Sequence, residues 1–121
     1  MDTLKEILSN LGVESVEEMA INDPYTVEVP AHQDLTIEKV MPGKVSIGHY
    51  YRQRGDLMSD PEVWFDVEGD EWTPISFSND PYAHEEDPDG LDLSEFLQVW
   101  EKNLRSQGFV EAAAEAEPEA T

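Results

Sequence analysis

An alternation of two sets of side chains in the middle of the chain most limits how it can fold. Every second position holds Val45, Ile47, His49 and Tyr51 in one run and Val63, Phe65 and Val67 in the next, all of them apolar or aromatic except His49. Successive side chains of a strand point to opposite faces of a sheet, so this period predicts two strands that each bury one face. Matching the buried faces pairs Tyr51 with Val63 or Phe65, since a slip of one residue would turn both outward. The pattern therefore predicts an antiparallel hairpin.

The polar faces of these two strands carry aromatic and charged side chains together. The predicted register brings Arg52 close to Trp64 and Asp66, which favours a guanidinium stacked on the indole and attracted by the carboxylate. Exposed aromatic residues beside an arginine are typical anchors of protein interfaces. We predict a binding surface formed by Tyr50, Arg52, Trp64, Asp66 and Trp72, unless the terminal helices cover that face.

Other segments add strands and helices to the hairpin. Tyr25–Val29, Leu35–Lys39 and Thr73–Phe77 alternate as strands do. Two capping patterns near the N-terminus and an apolar stripe after Asp92 indicate helices, whereas the polar run Ser78–Gly90 indicates an exposed loop. The predicted fold is α+β: an antiparallel sheet of four or five strands with an N-terminal helical segment and a C-terminal helix packed on it.

The length of 121 residues fits one domain. We assign residues 1–110 to a single α+β domain. Residues 111–121, with the sequence EAAAEAEPEAT, are predicted to form a disordered acidic and alanine-rich tail, because they have almost nothing to bury.

Charge is the strongest signal in the composition. The chain has 28 acidic residues against 7 Lys and Arg, a formal net charge of −21, and no Lys or Arg between Arg54 and Lys102. Nucleic-acid affinity comes mainly from basic residues that neutralise phosphates, so we expect no direct binding to nucleic acid. Three explanations stay open: a surface adapted to a salt-rich cytoplasm, imitation of nucleic-acid phosphates that occupies a nucleic-acid-binding protein, and general attraction to a basic partner.

The chain contains no cysteine, which excludes disulfides and thiolate metal sites and favours an intracellular protein. No apolar run approaches the roughly 20 residues that span a bilayer, and the acidic N-terminus differs from a signal peptide. We expect a cytoplasmic protein that does not bind membranes. The sequence does not indicate an oligomeric state.

A catalytic site is the alternative from another class. His49, Asp56, Asp60 and Asp66 would form a small metal-dependent hydrolase if their side chains converged, which their spacing does not enforce. The run Gly55–Pro61 is more simply explained as a turn, and His49, on an apolar strand face, as a hydrogen-bonded core or boundary residue. The sequence has no nucleophile elbow, no phosphate loop and no metal-ligand spacing. We therefore expect no metal and no cofactor and favour a non-enzymatic protein.

Three stretches of the chain share one further pattern. They are HYYRQRGDLMSDPEV from His49 to Val63, Trp72-Thr-Pro74, and WEKNLRSQGF from Trp100 to Phe109. The pattern resembles an uncharacterised small-domain family of bacteria, archaea and their mobile elements, catalogued as domain of unknown function 6908, although Arg54 stands where asparagine is expected. The family has no known activity, so the resemblance implies an intact domain without indicating a mechanism. From the charge and the absence of Lys and Arg between Arg54 and Lys102, we favour a non-enzymatic acidic interaction protein carried by a mobile element. Its expected partner is a basic or nucleic-acid-binding protein, which it would inhibit by charge mimicry.

Overall fold

A computed structural model of the chain describes residues 2–54, 56–68, 71–79 and 83–115, and it leaves out the side chains of residues 51–53, 56–60 and 83. Over these residues the chain forms one antiparallel sheet in the order β1-β2-β3-β4-β5-β6, together with three α-helices and one 3-10 turn. The elements are α1 Asp2–Asn10, the 3-10 turn Val16–Glu18, β1 Tyr25–Val27, β2 Leu35–Met41, β3 Lys44–Gln53, β4 Asp56–Glu68, β5 Glu71–Asn79, β6 Ala83–Glu86, α2 Ser94–Gln107 and α3 Phe109–Glu115.

The predicted α+β class is confirmed, with six strands in place of four or five. The additional strand is β6, which lies inside the predicted loop Ser78–Gly90 and pairs with β5 through Ser76↔Glu86 and Ser78↔His84. The prediction failed there because β6 is a short edge strand with polar residues, so no apolar alternation marks it.

The central hairpin has a different register from the predicted one. Val45 lies opposite Phe65 and Ile47 opposite Val63, whereas Tyr51 lies opposite Met58. The predicted pairing of Tyr51 with Val63 or Phe65 is therefore wrong. The apolar faces of the two strands still coincide.

The cause of this error is the turn of the hairpin. Gln53 pairs with Asp56, and Arg54 between them has a φ of +54°, so only two residues connect the strands. The sequence Asp56–Pro61 consequently belongs to β4, and its interpretation as a turn is wrong.

A β-bulge interrupts this hairpin where Gly48 faces Glu62 and Tyr50 faces Ser59. The two backbones approach so closely that a Cβ atom on Gly48 would lie 2.7 Å from the carbonyl oxygen of Pro61. Only glycine fits this position without a backbone shift.

Helical segments form where the two N-terminal capping patterns predict them, but the capping contacts differ from the predicted ones, since Ser15 precedes the 3-10 turn without a capping bond from its side chain. Helix α1 begins at Asp2, so Thr3 lies inside the helix, where its Oγ1 accepts a hydrogen bond of 3.3 Å from Arg105 in α2. At the end of α1, the amide of Val13 donates to Leu8, and Gly12 adopts a φ of +90°.

Helix α2 begins at Ser94, with Leu93 as its N-cap and without a capping bond from that side chain. Asp92 precedes the cap by one residue, and its carboxylate accepts hydrogen bonds from the hydroxyl and the amide of Ser94, which lower the pKa of Asp92. Gly108 adopts the left-handed conformation at the end of the helix, with a φ of +97°.

The packed structure continues beyond residue 110. Helix α3 buries Phe109, Val110 and Ala113, the last with no exposed surface. The assignment of residues 111–115 to a disordered tail is therefore wrong, because Ala113 packs in the core. Residues 116–121 lie outside the described part of the chain.

All three helices pack on one face of the sheet. Helix residues such as Leu4, Leu104 and Phe109 share one core with the alternate strand residues Ile47 and Phe65. We call this side of the sheet the covered face, and the opposite side the open face. Among the described helices, none has the length and apolar character needed to cross a membrane.

Candidate interaction face

The open face carries the polar residues of the alternating strands. The register places Glu38 opposite Ser46 and Ser46 opposite Trp64, so these side chains lie side by side across β2, β3 and β4. Trp64 in turn faces Ser76 of β5, and Ser76 faces Glu86 of β6. One band of residues therefore crosses the open face, with a half-buried tryptophan at its centre and a glutamate at each end.

Tyr50 and Glu62 form the shortest polar contact on this face. The Tyr50 hydroxyl donates a hydrogen bond of 2.5 Å to Glu62 Oε2. Burial of the phenol raises the pKa of Tyr50 well above its ordinary value, and the bond to Glu62 adds to this effect. Glu62 lies opposite Gly48, where the absence of a side chain lets the two strands approach closely.

Asp66 forms an ion pair with Lys44, which lies opposite it on β3. Lys44 Nζ is 3.4 Å from Asp66 Oδ1, and both side chains are about one-third exposed. The prediction that Arg52 approaches Trp64 and Asp66 is wrong, because the backbone of Arg52 lies opposite Leu57. The side chain of Arg52 lies outside the described residues.

A cleft of about 370 Å³ opens on this face between β3, β4, β5 and the segment after β6. Apolar surface comes from Met41, Trp64, Ile75 and Pro88, and charge comes from acidic side chains and one lysine. The full lining is Met41, Lys44, Glu62, Trp64, Ile75, Ser76, Ser78, His84, Glu86 and Pro88.

The far wall of the cleft is held by hydrogen bonds between β5 and the chain that follows it. His84 Nε2 lies 3.2 Å from Glu86 Oε2, and its Nδ1 lies 2.8 Å from the Ser78 hydroxyl. Because a carboxylate only accepts, the imidazole donates from Nε2 to Glu86. The amide of Asp87 donates to Ile75, which holds Pro88 beside the cleft.

Trp72 does not belong to the open face. It pairs with Val67, and its ring contacts that of Phe65 edge-on at a centroid distance of 5.5 Å. Both neighbours belong to the covered face, where Trp72 packs against the core. The structure thus brings together Tyr50, Trp64 and Asp66 of the predicted surface, and it places Trp72 on the other side.

His49 lies on the covered face, where it is 8% exposed. Its Nε2 accepts a hydrogen bond of 3.4 Å from the Trp100 indole, which can only donate. Nδ1 therefore carries the proton and donates to the carbonyl oxygens of Gln33 and Asp34, at 3.1 and 3.3 Å. The imidazole also meets the ring of Phe109 edge-on, at a centroid distance of 5.5 Å.

Two of the residues proposed for a hydrolase, His49 and Asp66, lie on opposite faces of the sheet and do not converge. His49 is on the covered face and Asp66 is on the open face, where it pairs with Lys44. The side chains of Asp56 and Asp60 are outside the described residues. Among the side chains that the structure describes, no group of three or more His, Asp or Glu residues could hold a metal ion.

The acidic residues are distributed over the whole described surface. None of the acidic side chains in the described part of the chain is buried. They occur on the helical side, for example at Glu17, Glu95 and Glu111, as well as on the open face. In the described part of the chain, acidic side chains therefore lie on both sides of the sheet.

Fold and surface together define a small α+β domain with one helix-covered sheet face and one open face that combines tryptophan with carboxylates. The chain belongs to the family described as domain of unknown function (DUF6908), whose sequence model matches residues 2–110. Comparisons with curated proteins and with solved structures gave no match.

The family assignment confirms the resemblance seen in the sequence, and the structure shows how two of its stretches meet. The first stretch contributes His49, and the third contributes Trp100 and Phe109, whose rings contact the imidazole. The hydrogen bond between His49 and Trp100 joins residues 51 positions apart. These three residues therefore connect β3 to the helical layer.

Several residues that line the cleft are not among the residues that the sequence predicts to form a binding surface. Glu62 has no feature in the sequence that marks it, because its partner Tyr50 lies on another strand. His84 and Glu86 lie in the predicted loop Ser78–Gly90, although their spacing of two residues is the signal that a polar strand gives. The pairing of Lys44 with Asp66 depends on the hairpin register.

Proposed function

We propose that this protein is a non-enzymatic interaction domain that binds a basic protein through the open face of its sheet. The observation that carries the proposal is the combination of Trp64 with Glu38, Glu62 and Glu86 on a face that none of the described helices covers. Half-buried aromatic residues with charged neighbours are typical of protein interfaces.

The charge of the chain indicates the chemistry of the partner. A net charge of −21 repels nucleic acids and acidic membranes and attracts polypeptides rich in Lys and Arg. Proteins that bind nucleic acids carry such basic surfaces. A nucleic-acid-binding protein is therefore the partner that we propose, and blocking its phosphate-binding surface is the proposed consequence.

Two variants with equal charge and different location test this proposal. The first carries Glu38→Gln, Glu62→Gln and Glu86→Gln on the open face. The second carries Glu17→Gln, Glu95→Gln and Glu115→Gln, which are exposed on the helical side. Pull-downs at physiological ionic strength, with the bound proteins identified by mass spectrometry, compare both variants with the wild type.

We expect the wild type and the helical-side variant to retain the same basic proteins and the open-face variant to lose them. An equal loss in both variants would mean that total charge, and not the open face, is recognised. If the wild type retained no basic protein, the proposed function would be wrong.

The presence of exposed acids on both sides of the sheet, among the described residues, favours a second candidate, a surface adapted to high salt with no role in recognition. Such a surface repels itself in dilute buffer and is stabilised when salt screens it, with a Debye length of about 8 Å at physiological ionic strength. Unfolding below roughly 0.1 M NaCl, with recovery at molar NaCl, would support this candidate. Full stability in dilute buffer would favour recognition.

A further inference from the structure

We infer that the cleft on the open face binds an arginine side chain of the partner. This inference rests on the proposed function and adds the chemical group that the site recognises. The cleft is lined by Trp64 and by carboxylates from two different strands, Glu62 on β4 and Glu86 on β6. Its volume of about 370 Å³ leaves room for one long side chain.

The lining matches the two parts of an arginine. The apolar surfaces of Met41, Ile75 and Pro88 suit the methylene stem. The indole of Trp64 offers a ring on which a planar guanidinium can stack, and the carboxylates of Glu62 and Glu86 offer acceptors for its fork of N–H donors. Lysine carries the same charge on a more compact and more strongly hydrated group, so it would use the ring less well.

The charge of the cleft remains negative after its internal pairs are counted. Lys44 is the cation among the lining residues, and it is paired with Asp66 at 3.4 Å. Glu62 accepts one hydrogen bond from Tyr50, and Glu86 accepts one from His84. Both contacts leave a second carboxylate oxygen on each glutamate to accept from a ligand.

Another hollow of similar size supports this choice of site. A depression of about 350 Å³ beside His49 is lined by His32, Asn103 and Gln107, among others, and none of the described residues that line it is acidic. It offers no carboxylate to a cation, whereas the cleft on the open face offers two.

A second copy of this chain would be a poor occupant of the cleft. Two open faces brought together would place Glu38, Glu62 and Glu86 of each copy in one interface, where like charges repel. Sedimentation at physiological salt is expected to give a monomer. A dimer that dissociates in the Trp64→Leu variant would overturn the inference.

Calorimetric titration with a hexa-arginine peptide at physiological salt tests the inference directly. Trp64→Leu keeps an apolar side chain and removes the stacking ring, and we expect it to weaken binding about threefold. Glu86→Gln is expected to weaken binding by a similar factor. Glu85→Gln is the matched control, since Glu85 neighbours Glu86 on β6 and pairs opposite Phe77 of the covered face. It should leave the affinity within about 1.5-fold.

A hexa-lysine peptide distinguishes the guanidinium from charge alone. We expect it to bind about threefold more weakly than hexa-arginine to the wild type and to lose this difference in Trp64→Leu. Circular dichroism of each variant checks that its fold is kept.

The outcomes separate the inference from the proposed function. If hexa-arginine bound the wild type and all three variants equally, or if Glu85→Gln weakened binding as much as Glu86→Gln, the cleft would not be the site, and the proposed function would stand. If neither peptide bound the wild type, the proposed attraction to basic polypeptides would fail as well.

Discussion

The two faces of the sheet use the same strands for different purposes. On the covered face, Ile47 and Phe65 are fully buried, and the polar His49 is hydrogen-bonded on both ring nitrogens. On the open face, Trp64 is half-buried and its neighbours are carboxylates in contact with solvent. The comparison shows that alternation along the strands separates two sets of residues. One set holds the fold, and the other lies on the open face, which we propose to bind a partner.

Ion pairs lie on both sides of the sheet, outside the core. Lys44 and Asp66 pair on the open face, and Arg105 pairs with Glu6 at 3.1 Å on the helical side. Both pairs are partly exposed, and such pairs contribute only about 0–1 kcal/mol to stability. The core of the covered face therefore carries most of the stability.

The largest expected loss of stability follows from a substitution on the covered face. Leu104 is fully buried in the core, and Leu104→Ala should lower the free energy of unfolding by about 2–5 kcal/mol, because it removes buried apolar surface and leaves a cavity. Val99 on the same helix is 59% exposed, so Val99→Ala should change the free energy of unfolding by less than about 0.5 kcal/mol. Urea unfolding measures both, and equal effects would contradict the placement of α2.

The contact between β3 and β4 gives the next effect. Gly48→Ala should destabilise the protein by about 1–3 kcal/mol, because the added methyl group meets the Pro61 carbonyl at 2.7 Å. Ser76→Ala, on the open face and without a comparable close approach, is the control. A Gly48→Ala variant as stable as the wild type would show that the bulge is looser than described.

Tyr50 should produce a smaller and pH-dependent effect. Tyr50→Phe removes the hydrogen bond to Glu62, which is worth about 0.5–1.5 kcal/mol near neutral pH. The folded state raises the pKa of Tyr50, so the stabilisation by the neutral phenol is present below the ordinary value of about 10 and is lost as pH rises above it.

Urea unfolding between neutral pH and pH 11 follows this effect. The wild type should lose stability above about pH 10, and Tyr50→Phe should lose less of it over the same interval. Tyr25→Phe keeps the contact between Tyr50 and Glu62, so it should behave like the wild type. Identical curves for Tyr50→Phe and the wild type would contradict the burial of this phenol.

The smallest expected effect on stability is at the end of the cleft. Glu86→Gln and Glu85→Gln should each change the free energy of unfolding by less than about 0.5 kcal/mol, because both side chains are exposed. Thermal unfolding checks this. If Glu86→Gln alone lowered the free energy of unfolding by more than 1 kcal/mol, the contact between His84 and Glu86 would be structural, which would contradict the proposed binding role of Glu86.

Much of this division could be predicted from alternation alone, because Val45, Ile47, Val63 and Phe65 specify one face wherever the turn lies. The position of the turn could not be predicted in this way. Asparagine followed by glycine is the strongest sequence signal for a two-residue hairpin turn, and this chain has Arg54 before Gly55. Without that signal, the two strands were joined by too long a loop, and the cation predicted beside Asp66 was Arg52 in place of Lys44.

The remaining differences have a common physical cause. Strand β6 is polar and lies at an edge, so its pairing with β5 leaves no hydrophobic pattern. Ala113 is small, and its burial depends on packing between elements that are distant in sequence. The cleft combines residues from Met41 to Pro88, and it could be located only after β6 and the register were known.

The central claim is that the open face, and not the acidic coat as a whole, recognises a basic partner. Titration of the labelled protein with hexa-arginine, followed by amide and indole chemical shifts in nuclear magnetic resonance, tests it most directly. We predict that the largest changes fall on the Trp64 indole and on the amides of Glu62, Ser76 and Glu86, with small changes in α1 and α2. Changes of equal size over the acidic residues of both faces would contradict the claim.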